Sequence, residues 1–383
     1  MKNLKVLGMM SGTSGDGIDG ALVEFGEDGS FSLLWTAGWP FTQSMRDRIQ
    51  RLMGQPSLHE ALLGHSYVAH LYSEACRAFF SQGREKPDYI AAHGQTILHV
   101  PQTEKWDGYR VNGSLQLLNG SLLAQQTGVP VICNFREADM AAEGQGAPLV
   151  PFADACFFGH HLSSDRIVLN VGGIANITLL RPEDGRVKVV SAFDTGPGNM
   201  MMDSLIEQET GGEEHYDRDG RLAASAVPDH KMVEEFLVDP YFSLLPPKST
   251  GREKFGKARM LEILPGFSSD AGLAEKISTF LEITCRSIVD AIIDPRLGVK
   301  FPAPLIVAGG GALNLEMMKR LAEKLQGKCV VSRSDEYGVP VMAREAMAFA
   351  ALGNAFVRSM SANILSATGA KKQVILGQLH PVF

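Results

Sequence analysis

Residues 4–25 read LKVLGMMSGTSGDGIDGALVEF. Leu4, Val6 and Leu7 form an apolar run ending at Gly8, and Ala21, Leu22, Val23 and Phe25 form a second. Between them lie Ser11, Gly12, Thr13, Ser14, Gly15, Asp16 and Gly17. Two short apolar runs joined by such a loop predict a β-hairpin. Its glycines admit positive φ, so successive backbone N–H groups can point into one concavity, and the hydroxyls add donors. Such a concavity suits a polyphosphate, but an ordinary hairpin turn has the same composition.

At 383 residues the chain exceeds the ~250–300 at which single cores stop growing, so two domains are expected. A net charge of −7 gives no support to a nucleic-acid or membrane-surface partner. Cys76, Cys133, Cys156, Cys285 and Cys329 lie far apart without a C-x-x-C pair, which predicts reduced thiols. No apolar run approaches the ~20 residues of a membrane span, and a cytoplasmic location is expected.

Beyond the hairpin the patterning predicts a third strand over 31–39 and helices over 45–53 and 61–80. A buried strand then starts at 89 and runs into a polar loop, followed by a helix over 115–126 and a strand over 129–133. The pattern restarts with strands over 165–171, 175–180 and 187–193, a helix from 200, and a long helix over 274–293. A strand over 304–308, a helix over 315–325, a strand over 329–332 and an Ala-rich helix over 343–357 complete it. Gly8 and Gly172 hold matching places, each ending a first strand at a glycine-rich turn. The repeat predicts an α/β chain with one lobe over 1–140 and a second over 141–383.

Four glycine-rich turns follow predicted strands, at 12–17, 172–173, 196–198 and 309–311, which points to one cleft. In FDTGPGN, Asp194 ends an apolar strand, partly out of water, where its pKa can approach a general base's working range. Capping of the following turn is the alternative role. Arg136, Asp139 and Glu143 share a loop of small residues that reads as solvated, or as a carboxylate site through the planar fork of Arg136. His93, in HGQT, is a pocket residue or a satisfied core histidine. GREKFGK has Walker A spacing, yet Ala258 stands where the Ser/Thr should, so it is no phosphate loop. PLIVAGGGALN followed by CVVSRSDE approaches a dinucleotide fold, but Asn314 replaces the third glycine.

MSGTSGDGID resembles the N-terminal signature of the anhydro-N-acetylmuramic acid kinases, within the actin/hexokinase/Hsp70 superfold. The resemblance extends through HGQT, VGGIANIT, FDTGPGN, KSTGREKFG and VAGGGALN to the VILGQLHP tail. It implies two duplicated ribonuclease-H-like lobes with a nucleotide cleft between them. ATP would lie on Gly12, Thr13, Ser14, Gly15, Asp16, Gly17, Ile18 and Asp19, on Gly172, Gly173 and Asn176, and on the adenosine loop Gly309, Gly310, Gly311 and Asn314. Asp194 would be the catalytic base, and His93, Thr96 and Arg136 would meet the sugar. Most actin-like kinases end their first strand in a metal-binding aspartate, where this chain has Gly8–Met9–Met10. Asp16, or else Asp19, would then hold Mg²⁺. The activity implied is phosphorylation of 1,6-anhydro-N-acetylmuramic acid with opening of its anhydro ring, in peptidoglycan recycling, by a homodimer. A ROK-type kinase of a free amino sugar is the nearest rival, though the Cys-rich zinc motif of that class is missing.

Overall fold

The computed structural model describes residues 3–12 and 15–382. In the first half, strands β1 (Leu4–Met10), β2 (Gly17–Phe25) and β3 (Phe31–Pro40) form the expected meander. Then come β4 (Tyr89–Ala92), β5 (Gln95–Trp106), β6 (Tyr109–Leu117) and β7 (Val131–Cys133). The second half holds β8 (Arg166–Val171), β9 (Ile174–Glu183), β10 (Arg186–Pro197), β11 (Leu305–Ala308) and β12 (Val331–Arg333), with β13 (Gln378–His380) near the end.

One sheet runs β13-β7-β4-β1-β2-β3 and the other β10-β9-β8-β11-β12. Each has three antiparallel strands in sequence order, and the first of them also pairs in parallel with the fourth, which pairs with a fifth. The same five-strand order therefore occurs twice, which is the duplicated ribonuclease-H-like architecture. Leu7, Ile18, Leu22 and Ile90 are among the core residues of the first sheet, and Ile167, Leu169, Leu305 and Val307 among those of the second.

The compact units are Met1–Phe157 with Ala343–Phe383, and Phe158–Met342. The chain thus divides elsewhere than at 140, and its last stretch returns to the first unit. Packing of helix Arg344–Val357 is the cause. It lies so close on β1 that a side chain at Gly8 would strike the Ala346 carbonyl, and one at Gly353 would lie 2.6 Å from the Ala91 Cβ. Small residues on both surfaces permit this approach. Buried charge adds to it: the Arg344 guanidinium binds Asp154 bidentately, at 2.9 and 2.6 Å.

Two local expectations are corrected. Residues 95–117 are a β-hairpin turning at Asp107–Gly108, both at positive φ, so the helix expected over 115–126 begins only at Gly120. Asp139 is no solvated loop charge. It is fully buried and accepts from Gly146 N (2.8 Å), Asn363 Nδ2 (3.0 Å) and Thr368 Oγ1 (2.8 Å), tying the loop after β7 to the returning C-terminal segment.

Candidate active site

In the first unit, the β1–β2 loop turns at Gly15 with φ +63°, a left-handed conformation that favours glycine. The Gly15 amide donates to Gly12 O (3.2 Å), which also receives Gln95 Nε2 at 3.4 Å. Thr13 and Ser14 lie outside the described residues. Gly17 opens β2, and Ile18 is fully buried, so its side chain serves the core beneath the loop. Asp19 pairs with Met10 across the hairpin. Burial, and then Asp16 and Glu345, raise its pKa. Glu345, in the first turn of helix Arg344–Val357, also has its pKa raised, chiefly by desolvation. No motif singled it out, because an acid in an Ala-rich helix carries no local sign of the carboxylate it will lie near.

His93 and Arg136 meet in the same unit. Arg136 donates to His93 Nε2 from Nε (3.3 Å) and Nη2 (2.9 Å), and from Nη1 to Gly146 O (2.7 Å). The other imidazole nitrogen, Nδ1, is 3.0 Å from Gly94 O, so the neutral ring donates there and accepts from the guanidinium. Burial and the Arg136 charge push the His93 pKa down to about 3, which keeps the ring neutral. Burial lowers Arg136 to about 10, and no carboxylate among the described residues lies within ion-pair distance of it. A desolvated guanidinium without a counter-charge is a ready anion site. Thr96 is the second residue of β5, its hydroxyl accepting from Gln116 Nε2 at 3.3 Å.

In the second unit, the glycine turns converge at strand ends. The turn after β8 accepts from the turn after β10: Gly198 N to Gly173 O (2.9 Å) and Asn199 N to Gly172 O (2.8 Å). Asn176 pairs with both Asn170 and Asp194 across β9. Gly309, at φ +78°, packs so closely that a Cβ there would lie 2.7 Å from Val171 O. Asn314 caps helix Leu315–Lys324 through Oδ1 to Met317 N (2.9 Å), so its acceptor is committed to the fold. Gly310 and Asn314 line a cavity of about 490 Å³.

Asp194 stands near the end of β10, at a bulge before Gly196. Its amide donates to Lys248 O (3.2 Å), its carbonyl accepts from the Tyr241 hydroxyl (2.7 Å), and its Oδ2 accepts from Thr250 N (2.9 Å). Burial raises its pKa to about 6 against the Thr250 N–H, which favours the charged form. The KSTGREKFG stretch thus supplies the backbone that holds the carboxylate. Tyr241 carried no sequence signal, being 47 residues away and lacking a motif.

Among the described residues no group of three or more His, Cys, Asp or Glu side chains could hold a metal ion. Asp16 and Asp19 still fit Mg²⁺, which commonly takes only one or two carboxylates when phosphates and water complete its octahedron. No helix among the described residues is long and apolar enough to cross a membrane.

Two sheets of one strand order, with glycine turns after their first strands, define a chain of the duplicated ribonuclease-H-like class. The family model for anhydro-N-acetylmuramic acid kinase matches residues 4–382. The anhydro-N-acetylmuramic acid kinase of Nitrosomonas europaea is 39% identical over 380 residues, covering 98% of this chain and 99% of its own. That of Gloeobacter violaceus is 39% identical over 385 residues, covering 98% of each, and that of a Cyanothece species 37% over 386, covering 98% and 99%. The chain belongs to the anhydro-N-acetylmuramic acid kinase family.

Proposed function

We propose that the protein uses ATP to phosphorylate 1,6-anhydro-N-acetylmuramic acid on O6 while water opens the anhydro ring, giving N-acetylmuramic acid 6-phosphate and ADP for cell-wall recycling. The observation that carries the mechanism is Asp194: a half-buried carboxylate with a pKa near 6, held at its amide, carbonyl and Oδ2. O6 of the substrate is bound to C1 in an acetal, so it is free to take a phosphoryl group only as that bond breaks. With Oδ2 committed to Thr250, Oδ1 of Asp194 takes a proton from water as the water oxygen bonds to C1. The C1–O6 electron pair stays on O6, which takes the γ-phosphoryl group of ATP. Hydrolysis and transfer are one coupled event, in which positioning supplies most of the acceleration.

The glycine turns at 12–17 and 172–173 offer backbone N–H groups to the phosphates, and the turn at 309–314 takes the adenosine. Asp16, with Asp19 beside it, would hold Mg²⁺, which would supply neutralisation of the phosphate charge. Arg136 takes the lactyl carboxylate, oriented by His93, with Thr96 on the sugar. The five cysteines are free, in keeping with a reducing cytoplasm. The active form is a homodimer, on the family resemblance.

Arg136→Lys tests the sugar reading, because lysine keeps the charge and loses the fork. ADP release is followed with the anhydro sugar, with an analogue lacking the lactyl group, and with free N-acetylmuramic acid. The expected result is turnover of both anhydro sugars but not the free one, and a KM raised ~10-fold or more by the substitution only where the carboxylate is present, the worth of a charged hydrogen bond. Equal harm to both anhydro sugars removes Arg136 from the carboxylate. Turnover of the free sugar alone replaces the ring-opening reading with ordinary sugar phosphorylation.

A further inference from the structure

The cavity of about 490 Å³ in the second unit has apolar walls from Met202, Tyr216, Leu313 and Met342, suited to a flat base. Three carboxylates also line it: Asp203, Asp217 and Asp219. Two are occupied. Asp217 accepts from Leu222 N (2.9 Å) and Ala223 N (3.0 Å), and Asp219 is paired with Arg221 at 2.9 Å. Among the described residues the Asp203 side chain has neither a hydrogen bond nor an ion pair, although burial, Glu207 and Asp217 push its pKa up to about 7. An acceptor in that position, facing a cavity and crowded by like charge, is stabilised when a ligand brings hydrogen-bond donors to it.

Its place in the fold says which donors. Asp203 lies in the first turn of helix Met200–Glu209. That helix follows Asn199, whose amide binds the second glycine turn at Gly172 O (2.8 Å). The Asn199 side chain reaches the turn at 309–311: a Cβ on Gly310 would lie 3.5 Å from its Nδ2. The first turn of this helix therefore sits between the stretch that takes phosphates and the stretch that takes the base. In a nucleotide spanning those two, the part between them is the ribose, and a ribose offers two vicinal hydroxyls.

We infer that Asp203 selects ribonucleotides, its carboxylate accepting hydrogen bonds from the ribose hydroxyls of ATP; this rests on the nucleotide reading of the turn at 309–314. The same logic places an acidic residue on the ribose of dinucleotides in an unrelated fold, because a carboxylate can accept from both hydroxyls at once. The competing occupant is the exocyclic amine of adenine, which is also a donor.

The test is steady-state kinetics with ATP, 2′-deoxy-ATP and ITP on the wild type, Asp203→Ala and Gly310→Leu, each checked for an unchanged thermal midpoint. The wild type is expected to show a KM ~10–100-fold higher for 2′-deoxy-ATP than for ATP, the worth of a hydrogen bond to a charged group. Asp203→Ala is expected to raise the KM for ATP by that factor or more, to raise the KM for 2′-deoxy-ATP distinctly less because only its 3′-hydroxyl loses an acceptor, and to leave kcat alone. Gly310→Leu puts a side chain into the cavity and is expected to raise the KM for both. If Gly310→Leu does so while Asp203→Ala affects both nucleotides equally or neither, the ribose role fails and the nucleotide reading survives. If Asp203→Ala abolishes discrimination between ATP and ITP instead, the carboxylate meets the base amine and the inference is overturned. If Gly310→Leu moves neither KM, the nucleotide reading of this cavity fails first.

Discussion

Asp194→Asn lowers kcat by ~100-fold or more, the ordinary contribution of a general base, and leaves the protein folded. The side-chain amide is isosteric and its oxygen can still accept from Thr250 N, the contact that holds Oδ2 at 2.9 Å. The main-chain bonds to Lys248 and Tyr241 do not involve the side chain and persist. What is lost is the capacity to take a proton from water. The pH profile gives a second reading of the same group. Burial sets its pKa at about 6, and only the ionised form is a base, so kcat/KM is full above that pH and falls as pH drops through it. In the variant this acid limb disappears from the residual rate. A kcat within about tenfold of wild type, or an acid limb that survives the substitution, excludes Asp194 as the base.

Arg344→Leu destabilises the protein by about 3–5 kcal/mol, the usual cost of breaking a buried ion pair from one side. The side chains of Arg344 and Asp154 are 4% and 0% exposed, and their two hydrogen bonds join the start of the returning helix to the body of the first unit. Removing the guanidinium leaves the Asp154 carboxylate desolvated without that counter-charge. The double variant Arg344→Leu/Asp154→Leu recovers much of the loss, since two apolar side chains of similar bulk carry no unpaired charge. Urea unfolding followed by circular dichroism measures both. A loss below about 1 kcal/mol for the single change would mean that the pair behaves as a solvated surface bridge.

The parts of this architecture that a reader of the sequence can see are those written locally. The β1–β2 hairpin shows in its apolar runs and the glycines between them, and Asp194 in its position where an apolar strand meets Gly196–Pro197–Gly198. The β5–β6 hairpin was missed although Asp107–Gly108 announces its turn. Much of its surface is exposed, so the strands lack the apolar alternation that normally marks them. The return of the C-terminal helix was hidden for another reason. Its contacts with Gly8 and Ala91 cross most of the chain, and small residues on a helix do not say which sheet they will meet. The same holds for the candidate site: Tyr241, Glu345 and Asp203 owe their surroundings to tertiary packing, whereas Arg136 and His93 stand in motifs that could be read directly. Arg136 was legible as a cation, but that no carboxylate among the described residues pairs with it is a structural fact.

The central claim is that water opens the ring as O6 is phosphorylated, and isotope labelling reads that event directly. The protein is incubated with ATP, Mg²⁺ and 1,6-anhydro-N-acetylmuramic acid in water enriched in heavy oxygen, and the phosphosugar is weighed over a time course. Extrapolation to zero time removes anomeric exchange with solvent. The predicted result is one solvent oxygen per sugar from the first turnover, carried at C1, with unlabelled O6 under the phosphate. Phosphosugar formed without label at zero time would contradict the coupled mechanism and the role given to Asp194 within it.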